Sequence, residues 1–310
     1  DLAAALKDYD AAIVRSQPKV NAAALESPGK LRAIARAGVG VDNIDVPAAT
    51  RKGIVVMNTP GGNTVSAAEH TIALMFALSR KIPAADAVMK AGGWDRNKFV
   101  GTQLTGKTLG VIGLGRIGRE VARRAVGLDM TVIALDPFVT AAKAAELGLH
   151  TAATLDELLP KVDFLTIHVP LSAETKSLIG ARELGLMKKT ACVLNVARGG
   201  IIDEQILADA LKAGTIGGAG VDVFTAEPIV ADDPLLKAPN VVLTPHLGAS
   251  TFEAQENVAV EAAQLIADFL LKGQVANAVN MAAVDPKELA EVRPFVDLAR
   301  RLGLLQAQVA

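Results

Sequence analysis

Arg198, Glu227 and His246 are the residues whose types and spacing fit one shared piece of chemistry. Arg198 stands in Val196-Ala197-Arg198-Gly199-Gly200, just after an apolar run over 191–196. Glu227 closes a stretch that opens on Asp222-Val223-Phe224. His246 follows the apolar run over 241–243, in Thr244-Pro245-His246-Leu247-Gly248-Ala249. If those runs are strands of an open parallel sheet, all three charged groups sit beyond strand carboxyl ends, where ligands bind. An imidazole titrates near working pH and suits taking the proton of a hydroxyl group. A guanidinium grips a carboxylate through two parallel hydrogen bonds. A carboxylate beside the imidazole orients the ring and favours its protonated form. The combined chemistry is oxidation of a small 2-hydroxy acid, with hydride leaving the carbon as the hydroxyl proton departs. Singly, each residue has a plainer reading: a surface Arg, a Glu in turn chemistry before Pro228, a His satisfied at a strand end. Their joint placement is what points to catalysis.

A hydride needs an acceptor, and the chain offers a site for one. Gly113-Leu114-Gly115-Arg116-Ile117-Gly118 fits G-x-G-x-x-G between an expected strand over 108–112 and an expected helix over 116–127. That context is what gives the pattern meaning. The first glycine permits a tight turn, the second lets backbone approach a pyrophosphate, and the third allows close helix–strand packing. The helix start adds unpaired N–H groups and a positive dipole end. The next strand, over 131–135, ends at Asp136, 18 residues after Gly118. A carboxylate there accepts from the adenosine ribose hydroxyls and repels a 2′-phosphate, so NAD is expected over NADP. The plainer reading is a structural glycine turn followed by a surface Asp.

The elements that must position these groups read as short apolar runs alternating with helical patterns. Further runs lie over 10–14, 31–35, 54–57, 109–112, 164–169 and 219–223, and helix-like segments over 141–147 and 204–213. Continuous apolar strands alternating with helices indicate parallel sheet covered on both faces, wound in both directions. Two longer helices are expected, over 64–80 and about 251–272. Ser66 with Glu69 reads as a capping box opening the first, and Val258, Ala262, Leu265, Ile266 and Phe269 keep helical spacing in the second. They bracket most of the strands and are read as crossings between a central domain and an outer one built from both chain ends.

With 310 residues, 51% of them hydrophobic, the chain suffices for about two domains with their own cores. Its 32 basic and 33 acidic residues leave a net charge of −1, against nucleic acid as main partner, since phosphate backbones need clustered cations. No apolar run is long enough for a membrane span and no signal peptide is visible, so neither is expected. One cysteine, Cys192, allows no internal disulfide and fits a cytoplasmic home; it lies in an apolar run and reads as core. The histidines and the cysteine show no metal-ligand spacing, so no metal is expected. His70 is read as neutral packing, His168 as structural or lining the cofactor cleft, and His150 as surface.

Behind the glycine motif, the order Arg198, Glu227, His246 resembles the D-isomer-specific 2-hydroxyacid dehydrogenases. Three longer runs resemble members acting on 3-phosphoglycerate: RAGVGVDNID over 36–45, NTPGGNTVSAAEHT over 58–71 and PHLGAST over 245–251. The resemblance runs from about Asp8 to Asn280. It implies an α/β protein of two doubly wound parallel-sheet domains, with a Rossmann-type NAD domain over 62–246 inserted in a discontinuous flavodoxin-like substrate domain over 1–61 and 247–280. A further C-terminal domain or tail would begin at 281–310, and an outer strand and helix would precede Asp1. The resemblance makes His246 the acid–base, Glu227 its partner, and Arg198 the group that binds the substrate carboxylate and polarises the carbonyl. Val39, Gly40 and Asn63 would lie on the substrate and nicotinamide side. Gly113, Gly115, Arg116, Ile117, Gly118, Asp136, Val196, Ala197, Asp222, Gly248 and Ala249 would contact the cofactor, with Asp222 facing the nicotinamide amide. Arg15 and Arg36 match positions that meet the substrate's anionic groups; with Lys19 they offer compact positive charge for a phosphate, unless they are scattered surface cations. The implied reaction oxidises 3-phospho-D-glycerate to 3-phosphohydroxypyruvate with NAD, the first step of L-serine biosynthesis. Rivals are a hydroxypyruvate or glyoxylate reductase and, from another class, an NAD(H)-sensing corepressor-like binding protein. The segment Gly92-Gly93-Trp94-Asp95 to Phe99 matches the family's dimer arm, so a homodimer or homotetramer is expected.

Overall fold

The computed structural model describes residues 2–281 and scattered positions between 292 and 308, so the expected tail over 281–310 lies mostly outside the described residues. Two compact units are formed: Asp1–Pro60 with Val258–Ala310, and Gly61–Asn257.

The smaller unit contains α1 (Leu2–Leu6), β1 (Ala11–Val14), β2 (Ala33–Arg36), α2 (Val46–Arg51) and β3 (Val55–Asn58). The strands pair in parallel in sequence order, Ala11 opposite Ala33 and Ala33 opposite Val55. Side chains alternate across this sheet, as strand geometry requires. Val14, Ile34 and Val56 pack with Leu6 of α1 and Ala48 and Ala49 of α2, while Ala33, Ala35, Val55 and Met57 pack with Val258, Ala262 and Leu265 of the last long helix. Helices therefore cover both faces. Asp45 caps α2 by accepting from Ala48 N–H at 2.9 Å.

The larger unit opens with α3 (Thr64–Ser79) and α4 (Ile82–Lys90). Then follow β4 (Thr108–Ile112), α5 (Arg116–Gly127), β5 (Thr131–Leu135), α6 (Ala141–Glu146), β6 (His150–Thr151) and α7 (Leu155–Leu158). The second half holds β7 (Phe164–Ile167), α8 (Ala181–Leu186), β8 (Cys192–Asn195), α9 (Glu204–Ala213), β9 (Gly218–Val221) and β10 (Val241–Leu243). Seven strands form one parallel sheet in the order β10-β9-β8-β7-β4-β5-β6. Strand order reverses between β4 and β7, the switch point at which such sheets bind ligands. Leu109, Val111, Val132 and Ala134 pack with α3 and α5, and Ile112, Ile133, Leu165 and Val193 with α7, α8 and α9, so the double winding is explicit here.

The last helix, α10, spans Phe252–Lys272, and the return between units falls inside it, at Asn257–Val258. Sequence reading placed that boundary after His246. The chain stays with the larger unit beyond that point because Leu247 and Gly248 N–H are tied to Asp222. The Ser66–Glu69 capping box is not formed. Asn63 is the N-cap of α3, Ser66 lies inside the helix with its Oγ buried and unpaired, and Glu69 meets Arg124 of α5 at 3.2 Å. Among the described residues no helix is long and apolar enough to cross a membrane.

Candidate active site

The glycine turn joins β4 to α5 at the switch point, and its three glycines are used differently. Gly113 has φ +91, and a Cβ there would lie 2.7 Å from the His168 carbonyl oxygen. A Cβ on Gly118 would lie 1.9 Å from the Gly113 carbonyl oxygen, so helix and turn meet without side-chain space between them. A Cβ on Gly115 would meet no protein atom within 4 Å. Its open side is where a pyrophosphate can approach the helix start. Asp136 accepts from Leu114 N–H at 2.6 Å and Phe138 N–H at 2.8 Å, which holds its carboxylate beside the turn. These residues fit a dinucleotide: bare backbone for the phosphates and an anchored carboxylate for ribose hydroxyls. Arg116 stands exposed at the start of α5.

His168 ends β7 under this turn, with its ring nitrogen Nε2 2.9 Å from Thr166 Oγ1. Burial pushes its pKa down to about 4, so the imidazole is neutral at working pH. It is part of the floor rather than a proton carrier.

Beyond the ends of β8, β9 and β10 the three expected catalytic residues come into one neighbourhood. His246 Nδ1 lies 2.7 Å from Glu227 Oε2. Glu227 Oε1 accepts from Phe224 N–H at 3.0 Å. Burial pushes the Glu227 carboxyl up, but the bonds from His246 and Phe224, with the positive charge of Arg198 and that of His246 when it is protonated, outweigh it and keep it below its ordinary value. Glu227 is thus ionised and accepts from Nδ1–H, which leaves the ring's lone pair on Nε2. The Arg198 backbone is shaped by Asn195 at the end of β8: its Nδ2 donates to the Arg198 carbonyl at 2.8 Å and its Oδ1 accepts from Ala197 N–H at 3.1 Å. Arg198 Nη1 donates to the Ala197 carbonyl at 2.6 Å. Glu204 of α9 braces the segment before Glu227, accepting from Thr225 N–H at 2.6 Å and Thr225 Oγ1 at 2.9 Å.

His246 itself has φ +55, a left-handed conformation costing a side-chain residue about 1 kcal/mol or more. The surrounding bonds over-determine it. Its N–H donates to the Asp222 carbonyl at 2.8 Å, and the Asp222 carboxylate accepts from Leu247 N–H at 2.7 Å and Gly248 N–H at 2.9 Å. Asp222 is fully buried; burial pushes its carboxyl up, yet the bonds from His70, Thr244 and Leu247 hold it below the usual range. Its carboxylate is therefore turned to the His246 loop.

In the smaller unit, the carboxyl ends of the three strands gather Arg15, Arg36, Val39 and Gly40. Arg36 Nη1 donates to the Ala37 carbonyl at 2.8 Å and lies across Gly38, where a Cβ would be only 1.3 Å from that nitrogen. Asn58 Nδ2 donates to the Val39 carbonyl at 2.6 Å, and Thr59 Oγ1 accepts from Gly38 N–H at 2.6 Å. Asn43 Nδ2 reaches both the Arg15 and Pro18 carbonyls, at 2.8 and 2.7 Å. Asn63, at the start of the larger unit, has its Oδ1 buried with no partner, as a group kept for a ligand would.

The larger unit matches a known family over residues 72–248, more than half of the 310, under the description D-isomer specific 2-hydroxyacid dehydrogenase, NAD binding domain. The chain belongs to the D-isomer-specific 2-hydroxyacid dehydrogenases. It is 50% identical over 295 residues to the D-3-phosphoglycerate dehydrogenase of Archaeoglobus fulgidus, covering 95% of this chain and 56% of that one. It is 48% identical to the Synechocystis enzyme of the same name, covering 98% and 54%. The chain thus spans little more than half the length of these curated relatives. Among solved structures, D-lactate dehydrogenase from Aquifex aeolicus, complexed with NAD and lactic acid, superposes with a TM-score of 0.80 at 29% identity over 91% of this chain and 90% of that one. Membership makes the glycine turn and Asp136 part of an NAD-binding domain.

Four residues of this candidate site were not singled out by sequence reasoning: Asn195, Asn58, Thr59 and Glu204. A polar residue at the buried end of an apolar run was the available signal for Asn195 and Asn58. His70, read as packing, turns out to be hydrogen-bonded to Asp222 at 3.2 Å and to Thr244 at 3.0 Å. Cys192, by contrast, is half-buried and packs against the core of the larger unit, and burial pushes its thiol up to about 11. Among the described residues no group of three or more His, Cys, Asp or Glu has the arrangement to hold a metal.

Proposed function

We propose that this chain carries the dehydrogenase part of an enzyme that oxidises 3-phospho-D-glycerate to 3-phosphohydroxypyruvate with NAD, opening L-serine synthesis in the cytoplasm. The observation that carries this reading is the His246 Nδ1–Glu227 Oε2 contact of 2.7 Å, in a chain about half identical to relatives named for that reaction. Glu227 fixes the proton on Nδ1, so the neutral ring presents a basic Nε2. Nε2 takes the hydroxyl proton of the substrate, and Glu227 stabilises the imidazolium that results. Arg198 binds the substrate carboxylate and polarises the developing carbonyl. The nicotinamide, when bound, takes the hydride from the same carbon. Arg15 and Arg36 take the phosphate.

A homodimer belongs to this reading. None of the residues of α4 is buried, and Ile82, Met89, Trp94 and Val100 present exposed apolar surface on the arm that begins there. The test of substrate is a panel of NADH with 3-phosphohydroxypyruvate, hydroxypyruvate, glyoxylate and pyruvate. A preference in kcat/KM for the phosphorylated ketoacid is expected, and Arg15→Ala should raise its KM far more than that of the unphosphorylated acids. A glyoxylate or hydroxypyruvate preference would favour the reductase reading instead.

A further inference from the structure

The turn bearing His246 is anchored on one buried carboxylate. Asp222 Oδ1 accepts from Thr244 Oγ1–H at 2.6 Å and Leu247 N–H at 2.7 Å, and Oδ2 from Gly248 N–H at 2.9 Å. One further partner comes from outside the turn. His70 Nε2, on α3, lies 3.2 Å from Asp222 Oδ1 and 3.0 Å from Thr244 Oγ1. Proton counting decides its role. An ionised carboxylate only accepts. The Thr244 hydroxyl has one proton, and the 2.6 Å contact with Oδ1 uses it. Nε2 therefore faces two acceptors and must be the donor to both, so His70 carries its proton on Nε2.

We infer that His70 is a positioning residue: its forked Nε2–H, shared by Asp222 Oδ1 and Thr244 Oγ1, holds the 244–248 turn in the geometry that brings His246 to Glu227. This rests on the reading of His246 as the acid–base. His246 sits at φ +55, so the turn has relaxed alternatives, and each bond to Asp222 restrains it against them. Glu227 arrives on a different segment, so the 2.7 Å contact survives only if both segments are held. The ring of His70 also ties the turn to α3, which packs across β8, β9 and β10 and gives the clamp a rigid base. Displacement of a reacting group by about 1 Å costs on the order of a hundredfold in rate, so a clamp this far from the chemistry still registers in kcat.

His70→Gln, His70→Phe and His70→Leu separate a donor from a space-filler. The Gln amide nitrogen reaches the Nε2 position and donates; Phe keeps the ring and donates nothing. His70→Phe and His70→Leu should lower kcat about tenfold to a hundredfold while the hydroxy-acid KM changes less than about threefold, and His70→Gln should recover most of that loss. Phe or Leu variants as active as the Gln variant would make His70 packing and overturn the inference. Nitrogen-15 spectra of the wild-type chain give a readout that needs neither turnover nor a folded variant. The His70 proton should be on Nε2, and a proton on Nδ1 with bare Nε2 would also overturn it. If the wild type prefers another 2-hydroxy acid to phosphoglycerate, the proposed substrate fails while the same kcat comparison, run on that acid, still decides the role of His70.

Discussion

His246 and Glu227 show how far two side chains can be read from type and spacing. Both are apart in sequence and meet at 2.7 Å through Nδ1, so the pair acts as one unit. On the proposed mechanism His246→Asn removes the base and should lower kcat by about a hundredfold to ten-thousandfold. Glu227→Gln keeps a partner for the ring but loses the charge that stabilises imidazolium, so a smaller fall, roughly tenfold to a hundredfold, is expected from steady-state kinetics. Asp136→Ala should narrow the kcat/KM preference for NAD over NADP by about tenfold or more, because the carboxylate held at Leu114 and Phe138 N–H would no longer repel a 2′-phosphate. His168 belongs to stability rather than chemistry. Its folded pKa of about 4 lies below the ordinary histidine value of 6.5, so the fold favours the neutral ring. That stability is complete above 6.5 and is lost as pH falls toward 4, by at most about 3 kcal/mol. Urea unfolding at pH 7 and pH 4.5 should show the loss, and His168→Gln should remove most of this part of it.

The β4–turn–α5 element carries the sharpest contrast between two glycines of one motif. Gly118→Ala would press a Cβ to 1.9 Å from the Gly113 carbonyl oxygen, and neither backbone can yield. A loss on the order of 2–4 kcal/mol in denaturant titration is expected. Gly115→Ala meets no protein within 4 Å and should change stability by less than about 1 kcal/mol, yet it should raise the KM for NAD by crowding the pyrophosphate. Equal stability losses in both variants would show the two glycines to be interchangeable. Elements of this kind were legible in advance: α5 and α9 occupy 116–127 and 204–213 as read, since helical periodicity and caps are local. The cap of α3 was not. The helix begins at Thr64 as read, but Ser66 and Glu69, for all their capping-box spacing, do not cap it: Asn63 is the N-cap, and Glu69 is drawn to Arg124 of α5, a partner distant in sequence.

At the scale of the molecule, the proposed homodimer rests on the exposed apolar surface around α4, Trp94 and Val100, and sedimentation should find about twice the 32.1 kDa of the chain. A 32.1 kDa species at micromolar concentration would contradict that. Apolar periodicity determined the α/β class, the parallel strands and most helix bounds, because burial of alternating segments leaves few ways to pack. The glycine spacing determined the cofactor turn, because only a residue without a side chain fits where Gly118 meets Gly113. What tertiary structure alone decided is which polar groups share a proton. His70, between Glu69 and Thr71 near the start of the helix, reads as neutral packing until α3 is laid across β9 and β10, where its Nε2 meets Asp222 and Thr244. The return at Asn257, rather than at His246, was decided the same way. Hydrogen bonds between residues more than a hundred positions apart depend on angles and distances of a few tenths of an ångström, and one-dimensional spacing holds no trace of them.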